Sequence, residues 1–378
     1  MQTRILVDLL GFTGRRGGTE TYARELLQRL PRLMPEATFA AVVGREGADR
    51  VRAFFPGRVR VLRGVGGDPA SWAIGAVCAT NAIARNSGAD LIWAPANFGP
   101  IRRGVPRIVT VHDAIYDEVP GGLVDRALRR GTSFLMRRSA QTADRVLTVS
   151  HSAAESIRQH LGMASDRIDV VPNGSADPRP VSDPWDAVSS LGVTSGRPIV
   201  LSIGNRMPHK NFEGLLAAVA TIYPAQRPLT IIAGSRLPDP LASTVERHDL
   251  HHDVLLPGWV SDEQLEALYQ VADLYACPSL AEGFGLPIAD ALRRGLRVLA
   301  NDIPVLREVG GAVAHYGDAT SPHRFGEAIV AALSDPSDDV ARTGPAWADQ
   351  FSWDASAHAT AAVLRAATRS GAHPGDAR

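Results

Sequence analysis

The stretch Leu274-Tyr-Ala-Cys-Pro-Ser-Leu-Ala-Glu-Gly-Phe-Gly-Leu-Pro-Ile-Ala-Asp290 decides the fold. Leu274–Cys277 is a short apolar run stopped by Pro278, which reads as a buried strand. Gly283 and Gly285 then open a loop. Pro287 suits a first helical turn and predicts a helix over Pro287–Arg294. Strand, glycine-rich turn and helix in that order is the repeating unit of a parallel sheet covered by helices.

The same unit recurs in both directions. Strands are predicted at Arg4–Leu9, Thr38–Val43, Val59–Leu62, Leu91–Ala94, Ile108–Val111, Arg145–Val149 and Ile168–Val171. A second series runs Pro198–Ile203, Leu229–Ala233, Val254–Leu256, Leu274–Cys277, Val298–Ala300 and Ala312–His315. Helical periodicity falls between them, as in Glu20–Leu30, Ala153–Leu161, Phe212–Ala220, Asp262–Val271 and Trp353–Ala366. Ser152 with Glu155 and Ser261 with Gln264 have the spacing of capping boxes. The pattern breaks at Asp177-Pro-Arg-Pro and Asp183-Pro. The expected division is an N-terminal Rossmann-like domain over 1–175, a linker over 176–197 and a second Rossmann-like domain over 198–352. A C-terminal segment over 353–378 follows, helical and then frayed from Ala367, with a possible return to the first domain.

Composition bounds the function. Of 378 residues, 45% are hydrophobic and 21% charged, so the chain is globular. Cys78 and Cys277 are the only cysteines. That excludes a disulfide framework and a multi-cysteine zinc site, and fits a reducing, cytoplasmic compartment. The start reads as a strand and not as a signal peptide. The most apolar stretch, Trp72–Ala84, is shorter than a membrane span. Residues 1–180 carry 25 arginines against 17 acidic residues, whereas 181–378 carry 15 basic and 23 acidic ones. A basic first half suits an anionic partner, or scattered solubilising charge. Lys210 is the only lysine among 40 basic residues.

Ligands of doubly wound sheets bind outside the carboxyl ends of the strands, so the loops that follow strands hold the candidates. Gly11-Phe-Thr-Gly14-Arg-Arg-Gly17-Gly18 would let backbone N–H groups approach a phosphate, or is an ordinary loop. It is not the G-x-G-x-x-G of a dinucleotide site. Gly204-Asn-Arg-Met-Pro-His-Lys210 places Arg206 and Lys210 before a helix, where cations are disfavoured unless they meet an anion such as a diphosphate. Glu282 and Asp290 flank backbone donors of Gly283, Phe284, Gly285 and Leu286, and carboxylates there suit sugar and ribose hydroxyls. His112, after strand Ile108–Val111, offers a donor to a sugar hydroxyl; taken alone, it reads better as a structural histidine. His248-Asp-Leu-His-His-Asp253 reads as a solvated loop and not as a metal site.

Together these blocks resemble retaining glycosyltransferases of family 4, the glycosyl transferases group 1, with the GT-B fold. The resemblance covers nearly the whole chain. It rests on Gly17-Gly18-Thr-Glu-Thr-Tyr, His112-Asp113, Val171-Pro-Asn-Gly174, Gly204-Asn-Arg-Met-Pro-His-Lys-Asn, Leu256-Pro-Gly-Trp-Val260 and Pro278–Pro287. It implies two α/β domains facing across a cleft and transfer of a hexose from a nucleotide diphosphate sugar to a hydroxyl. By the resemblance, Lys210 and Arg206 bind the donor diphosphate, with backbone near Gly18 and Gly283–Leu286. Glu282 holds the sugar, His112 contacts it, Asp290 holds the ribose, and Gly258–Val260 lies near the base. The family usually has Glu at Asp290 and often Arg at Asn205. No D-x-D triplet occurs, so the expectation is no cofactor and no metal.

Likeness to mannosyl- and rhamnosyltransferases of surface polysaccharides favours GDP-mannose over UDP- and dTDP-sugars. The expected acceptor is a saccharide, a lipid-linked saccharide or a small molecule, with no nucleic acid partner. The stretch Arg126–Arg138 mixes arginines with Leu128, Phe134, Leu135 and Met136. It reads first as a helix packed on its own domain, and second as a basic face for an anionic membrane at the inner side of the cell. A non-catalytic sugar-nucleotide-binding protein of the same fold and an NAD-dependent oxidoreductase are the alternatives.

Overall fold

The computed structural model describes residues 2–14, 17–114, 123–335 and 339–371. It has two units, one formed by Met1–Gly174 with Trp353–Arg378 and the other by Ser175–Ser352. In the first, seven strands run β1 Thr3–Leu9, β2 Ala37–Gly44, β3 Arg58–Leu62, β4 Leu91–Ala94, β5 Arg107–Thr110, β6 Arg145–Thr148 and β7 Ile168–Val170. They pair in parallel in the order β3-β2-β1-β4-β5-β6-β7. Strands β4 and β5 are wholly buried, because helices cover both faces of a parallel sheet. The helix Trp353–Gly371 packs on Gly18–Leu33. It runs past Ala367, the point where fraying was expected.

The second unit has six parallel strands, β8 Ile199–Ile203, β9 Leu229–Ala233, β10 Val254–Gly258, β11 Leu274–Cys277, β12 Val298–Asn301 and β13 His315–Gly317. Their order is β10-β9-β8-β11-β12-β13. Chain direction across the sheet reverses between β8 and β11. The loops after those two strands therefore open at the switch point, where ligands of such sheets bind.

Three local expectations are corrected. Residues 176–197 are part of the second unit: Pro184–Ser189 is a helix with Val188 buried, packed on Asp262–Val271. Asp183 caps it by accepting from the N–H groups of Trp185 and Asp186, both at 3.0 Å. Asp-Pro there is a cap with a first-turn proline, not a breaker. The helix His151–Leu161 is capped by Ser150, which accepts from Ala153 N–H at 2.9 Å; Glu155 pairs with Arg158 instead of closing a box. The expected strand Ala312–His315 lies three residues later. The helix Pro304–Gly310 ends in Gly311 at φ 56°, and the chain needs Ala312–Ala314 to return to the sheet. The box at Ser261 and Gln264 is present.

Candidate functional site

In the second unit the two switch-point loops are tied together. The loop after β8 passes through a 3-10 turn, Pro208–Lys210, into the helix Phe212–Thr221. Asn211 sits between them at φ 54°, a conformation asparagine tolerates better than most residues. Its amide donates to the carbonyls of Pro278 at 3.2 Å and Ala319 at 2.9 Å. Leu280 N–H donates to the His209 carbonyl at 2.7 Å. Lys210 Nζ donates to Glu282 Oε1 at 2.6 Å, with both side chains mostly buried. Ser279 Oγ donates to the same oxygen at 2.8 Å. Burial pushes the Glu282 carboxyl up, but Lys210 and Ser279 together outweigh it and hold the group below its ordinary range.

The loop after β11 enters the helix Leu286–Arg293 through Gly285, at φ 95°, with Pro287 in the first turn. A Cβ on Gly285 would be strained by this φ and would meet Leu306 at 3.1 Å. Phe284 turns into the core against Phe351, their rings 5.3 Å apart, so only its backbone is available to a ligand. Asp290 accepts from Ala176 N–H at 2.7 Å, and burial raises its pKa to about 6. One of its oxygens is thus engaged by the chain that begins this unit. At the end of β10, Gly258 has φ 78°, and the next residue, Trp259, is 61% exposed.

Arg206, expected at the diphosphate, turns inward. Its side chain is only 7% exposed and pairs with Asp239, itself 2% exposed, through bonds of 2.7, 3.0 and 3.2 Å. It also donates to the carbonyls of Gly204, Ile232 and Ala233 and lies over the Phe212 ring at 5.0 Å. Every N–H group of the guanidinium is occupied. Arg206 is a brace between the ends of β8 and β9, with no N–H group left over for an anion. Asn205, at the position where the family often has Arg, is exposed and accepts from Met207 N–H at 3.3 Å.

In the first unit, Gly18 starts the helix Gly18–Leu33, and Gly17 precedes it at φ 65° with no side-chain cap. Glu20 reaches back from that helix to accept from Thr13 N–H at 2.6 Å, fixing the loop after β1. His112 is buried after β5. Burial lowers its pKa to about 4, so the ring is neutral at pH 7. Its Nε2 lies 2.8 Å from the Pro95 carbonyl and must carry the proton to bond there. The N–H expected for a sugar hydroxyl is therefore spent, and Nδ1 is left as an acceptor. Asn97, at φ 62°, receives the His112 backbone N–H at 2.7 Å, and Tyr22 packs edge-on at 4.8 Å.

Sequence reasoning passed over Ser279, Asn211 and Asp8. Asp8 is buried, accepts from Thr80 Oγ1 at 2.6 Å and has its pKa raised to about 6 by burial. The signal for Asn211 was a polar residue between a proline turn and an apolar helix. Among the described residues no group of three or more His, Cys, Asp or Glu side chains could hold a metal, and no helix is long and apolar enough to cross a membrane.

The family model for glycosyl transferases group 1 matches residues 185–346, and that for glycosyltransferase family 4 matches residues 16–175. The O-antigen chain mannosyltransferase B of Escherichia coli is 31% identical over 281 residues, 70% of this chain and 71% of its own length. The chain belongs to glycosyltransferase family 4. This glycosyltransferase is also 31% identical to a D-inositol 3-phosphate glycosyltransferase of Segniliparus rotundus, over 72% of its own length and 63% of that relative's. Sucrose-phosphate synthase from Thermosynechococcus elongatus superposes with a TM-score of 0.76 at 19% identity, over 98% of this chain and all of the other. Anabaena HepE in complex with UDP-glucose gives 0.75 at 20% identity, over 96% and 99%. The glycosyltransferase therefore has the GT-B fold, and the oxidoreductase alternative falls.

Proposed function

We propose that this glycosyltransferase moves a hexose, with mannose from GDP-mannose favoured, onto an acceptor hydroxyl with retention of configuration. The observation that carries the reading is the Lys210–Glu282 pair at 2.6 Å, joining the two loops at the switch point of the second sheet. A nucleotide diphosphate brings an anion for Lys210 and sugar hydroxyls for Glu282. The sugar–phosphate C–O bond breaks with its electrons going to the diphosphate, whose growing charge Lys210 stabilises. The acceptor oxygen bonds to the same face of the anomeric carbon, and its proton passes to the leaving phosphate oxygen. The relative named as a mannosyltransferase supports the choice of sugar.

The acceptor is proposed to be a saccharide, free, lipid-linked or on a small molecule. The exposed side of the helix Leu123–Thr142 carries Arg130, Phe134, Arg137 and Arg138, with Phe134 59% exposed, while Met136 and Ala140 pack inward. That face supports peripheral contact with an anionic membrane, and sedimentation with anionic vesicles tests it.

A thermal-shift panel with GDP, UDP, dTDP and ADP, each with and without EDTA, tests the donor site. A ligand at a hundred times its dissociation constant adds about 2.7 kcal/mol. A shift with one diphosphate that EDTA leaves unchanged and Lys210→Ala abolishes is expected. A folded protein that responds to none of them refutes the reading, whereas one that binds a diphosphate yet releases none from any sugar donor favours the non-catalytic alternative.

A further inference from the structure

The geometry points to Ser279 as a positioning residue that keeps Glu282 aimed at the donor sugar once Lys210 has turned to the diphosphate, an inference that rests on the donor-site reading above. Both donors to Glu282 reach the same oxygen. Lys210 Nζ lies 2.6 Å and Ser279 Oγ 2.8 Å from Oε1. No described residue bonds Oε2, so the carboxylate is held by one oxygen and offers the other. Lys210 cannot remain wholly on Oε1 while it neutralises a diphosphate. Ser279 can, because nothing in the proposed chemistry competes for its hydroxyl.

Ser279 is itself fixed. It is 2% exposed. Asn301 donates to its carbonyl at 3.0 Å, and Asn211 donates to the preceding carbonyl of Pro278. Asn301 in turn accepts from Ala319 N–H at 2.9 Å. Behind it, burial pushes the Cys277 thiol up to about 11, so the S–H is retained and donates to Ser279 Oγ at 3.6 Å. The chain from Cys277 S–H through Ser279 O–H to Glu282 Oε1 runs in one direction, and such chains polarise each other. The titratable and charged groups that face Glu282 are Lys210 and His209 from the loop after β8, and Cys277 and Tyr275 from β11. A bound diphosphate draws on Lys210 and adds negative charge, so the Ser279 bond becomes the main protein contact that keeps the carboxylate ionised.

The test compares a nucleoside diphosphate with its sugar form, so no acceptor is required. Calorimetric affinities for GDP and GDP-mannose, or for UDP and UDP-glucose if the panel selects uridine, are measured on wild type, Ser279→Ala, Ser279→Thr and Lys210→Ala. Ser279→Ala is expected to bind the diphosphate within about twofold of wild type and the sugar nucleotide about ten- to a hundredfold more weakly, the size of one hydrogen bond to a charged group. Its sugar-dependent affinity should fade at a higher pH on acidification, because Glu282 then protonates more easily. Ser279→Thr, which keeps the hydroxyl, should restore both properties. Equal weakening for both ligands, or no weakening for either, overturns the proposal while leaving the donor site standing. Unchanged diphosphate affinity in Lys210→Ala overturns the donor site itself.

Discussion

Replacing Arg206 by alanine separates the brace described above from the diphosphate ligand that the sequence suggests. The substitution would strip Asp239 of its partner at a site where the acid is 2% exposed and would leave the carbonyls of Gly204, Ile232 and Ala233 short of a donor. Removing one member of a buried ion pair typically costs about 3–5 kcal/mol, because the other charge remains buried without compensation. For a unit of this size each kcal/mol lowers Tm by roughly 2–4 °C, so a fall of about 6–20 °C is expected. Calorimetry on Arg206→Ala and Lys210→Ala, followed by diphosphate titration below the lower transition, provides the assay. Arg206→Ala should melt early and, while folded, bind the diphosphate within about threefold of wild type. The double change Arg206→Met with Asp239→Leu should recover most of the lost stability, since an apolar pair of similar volume is often as stable as a buried salt bridge. The reasoning is refuted if Arg206→Ala melts within about 2 °C of wild type yet loses diphosphate binding as Lys210→Ala does.

Lys210→Ala should lower kcat/KM by about a hundredfold or more, near 3 kcal/mol of transition-state stabilisation, measured as nucleoside diphosphate release. Lys210→Arg should recover little of it, because a bidentate fork holds Glu282 more firmly than an ammonium does. Asp8→Asn should stabilise the first unit at pH 8 by up to about 3 kcal/mol and leave it nearly unchanged near pH 4, checked by urea melts at both values. The folded carboxyl ionises at about 6 and the unfolded one near 3.8, so wild-type stability falls as pH rises through that window. Phe134→Ala with Arg138→Glu should abolish sedimentation with anionic vesicles and leave donor affinity unaltered.

Much of this was legible in the residues, because a doubly wound sheet writes itself as apolar runs separated by turn chemistry. All of β4, β9 and β11 fall where those runs predict them. Glu282, Gly285 and Lys210 stand out in the sequence because glycines and charges that follow a buried strand are hard to explain by packing, and the structure brings Lys210 and Glu282 together at 2.6 Å. The readings that failed share one cause, an ambiguity that only a partner three-dimensionally near can resolve. Asp183-Pro is equally a breaker and a cap until Val188 finds the helix Asp262–Val271 to pack on. Arg206 lies 33 positions from Asp239, and nothing local distinguishes an arginine that turns in from one that turns out. For His112, the sequence gives the ring but not its tautomer, which the Pro95 carbonyl fixes from 17 positions away.

The pairing of Lys210 with Glu282 bears on why a compact ammonium stands there in a chain whose other basic residues are all arginine. Two mostly buried opposite charges satisfy each other at 2.6 Å, which ties the two loops together and keeps Glu282 ionised. Under the donor-site reading proposed above, donor binding has to divide that lysine between the carboxylate and the diphosphate. The cost of the division is set against ground-state affinity, when the phosphate charge is still spread over the intact sugar ester. As the C–O bond breaks, negative charge accumulates on the diphosphate and its hold on Lys210 strengthens, whereas the hold of Glu282 does not. The interaction thus grows towards the transition state, the condition under which binding raises turnover instead of merely tightening the substrate. A guanidinium held bidentately by Glu282 would resist the transfer, and a lysine with no carboxylate beside it would bind the donor tightly at the start and gain less afterwards. In the same reading Ser279 holds Oε1 through both states, so that the movement of one charge does not release the other.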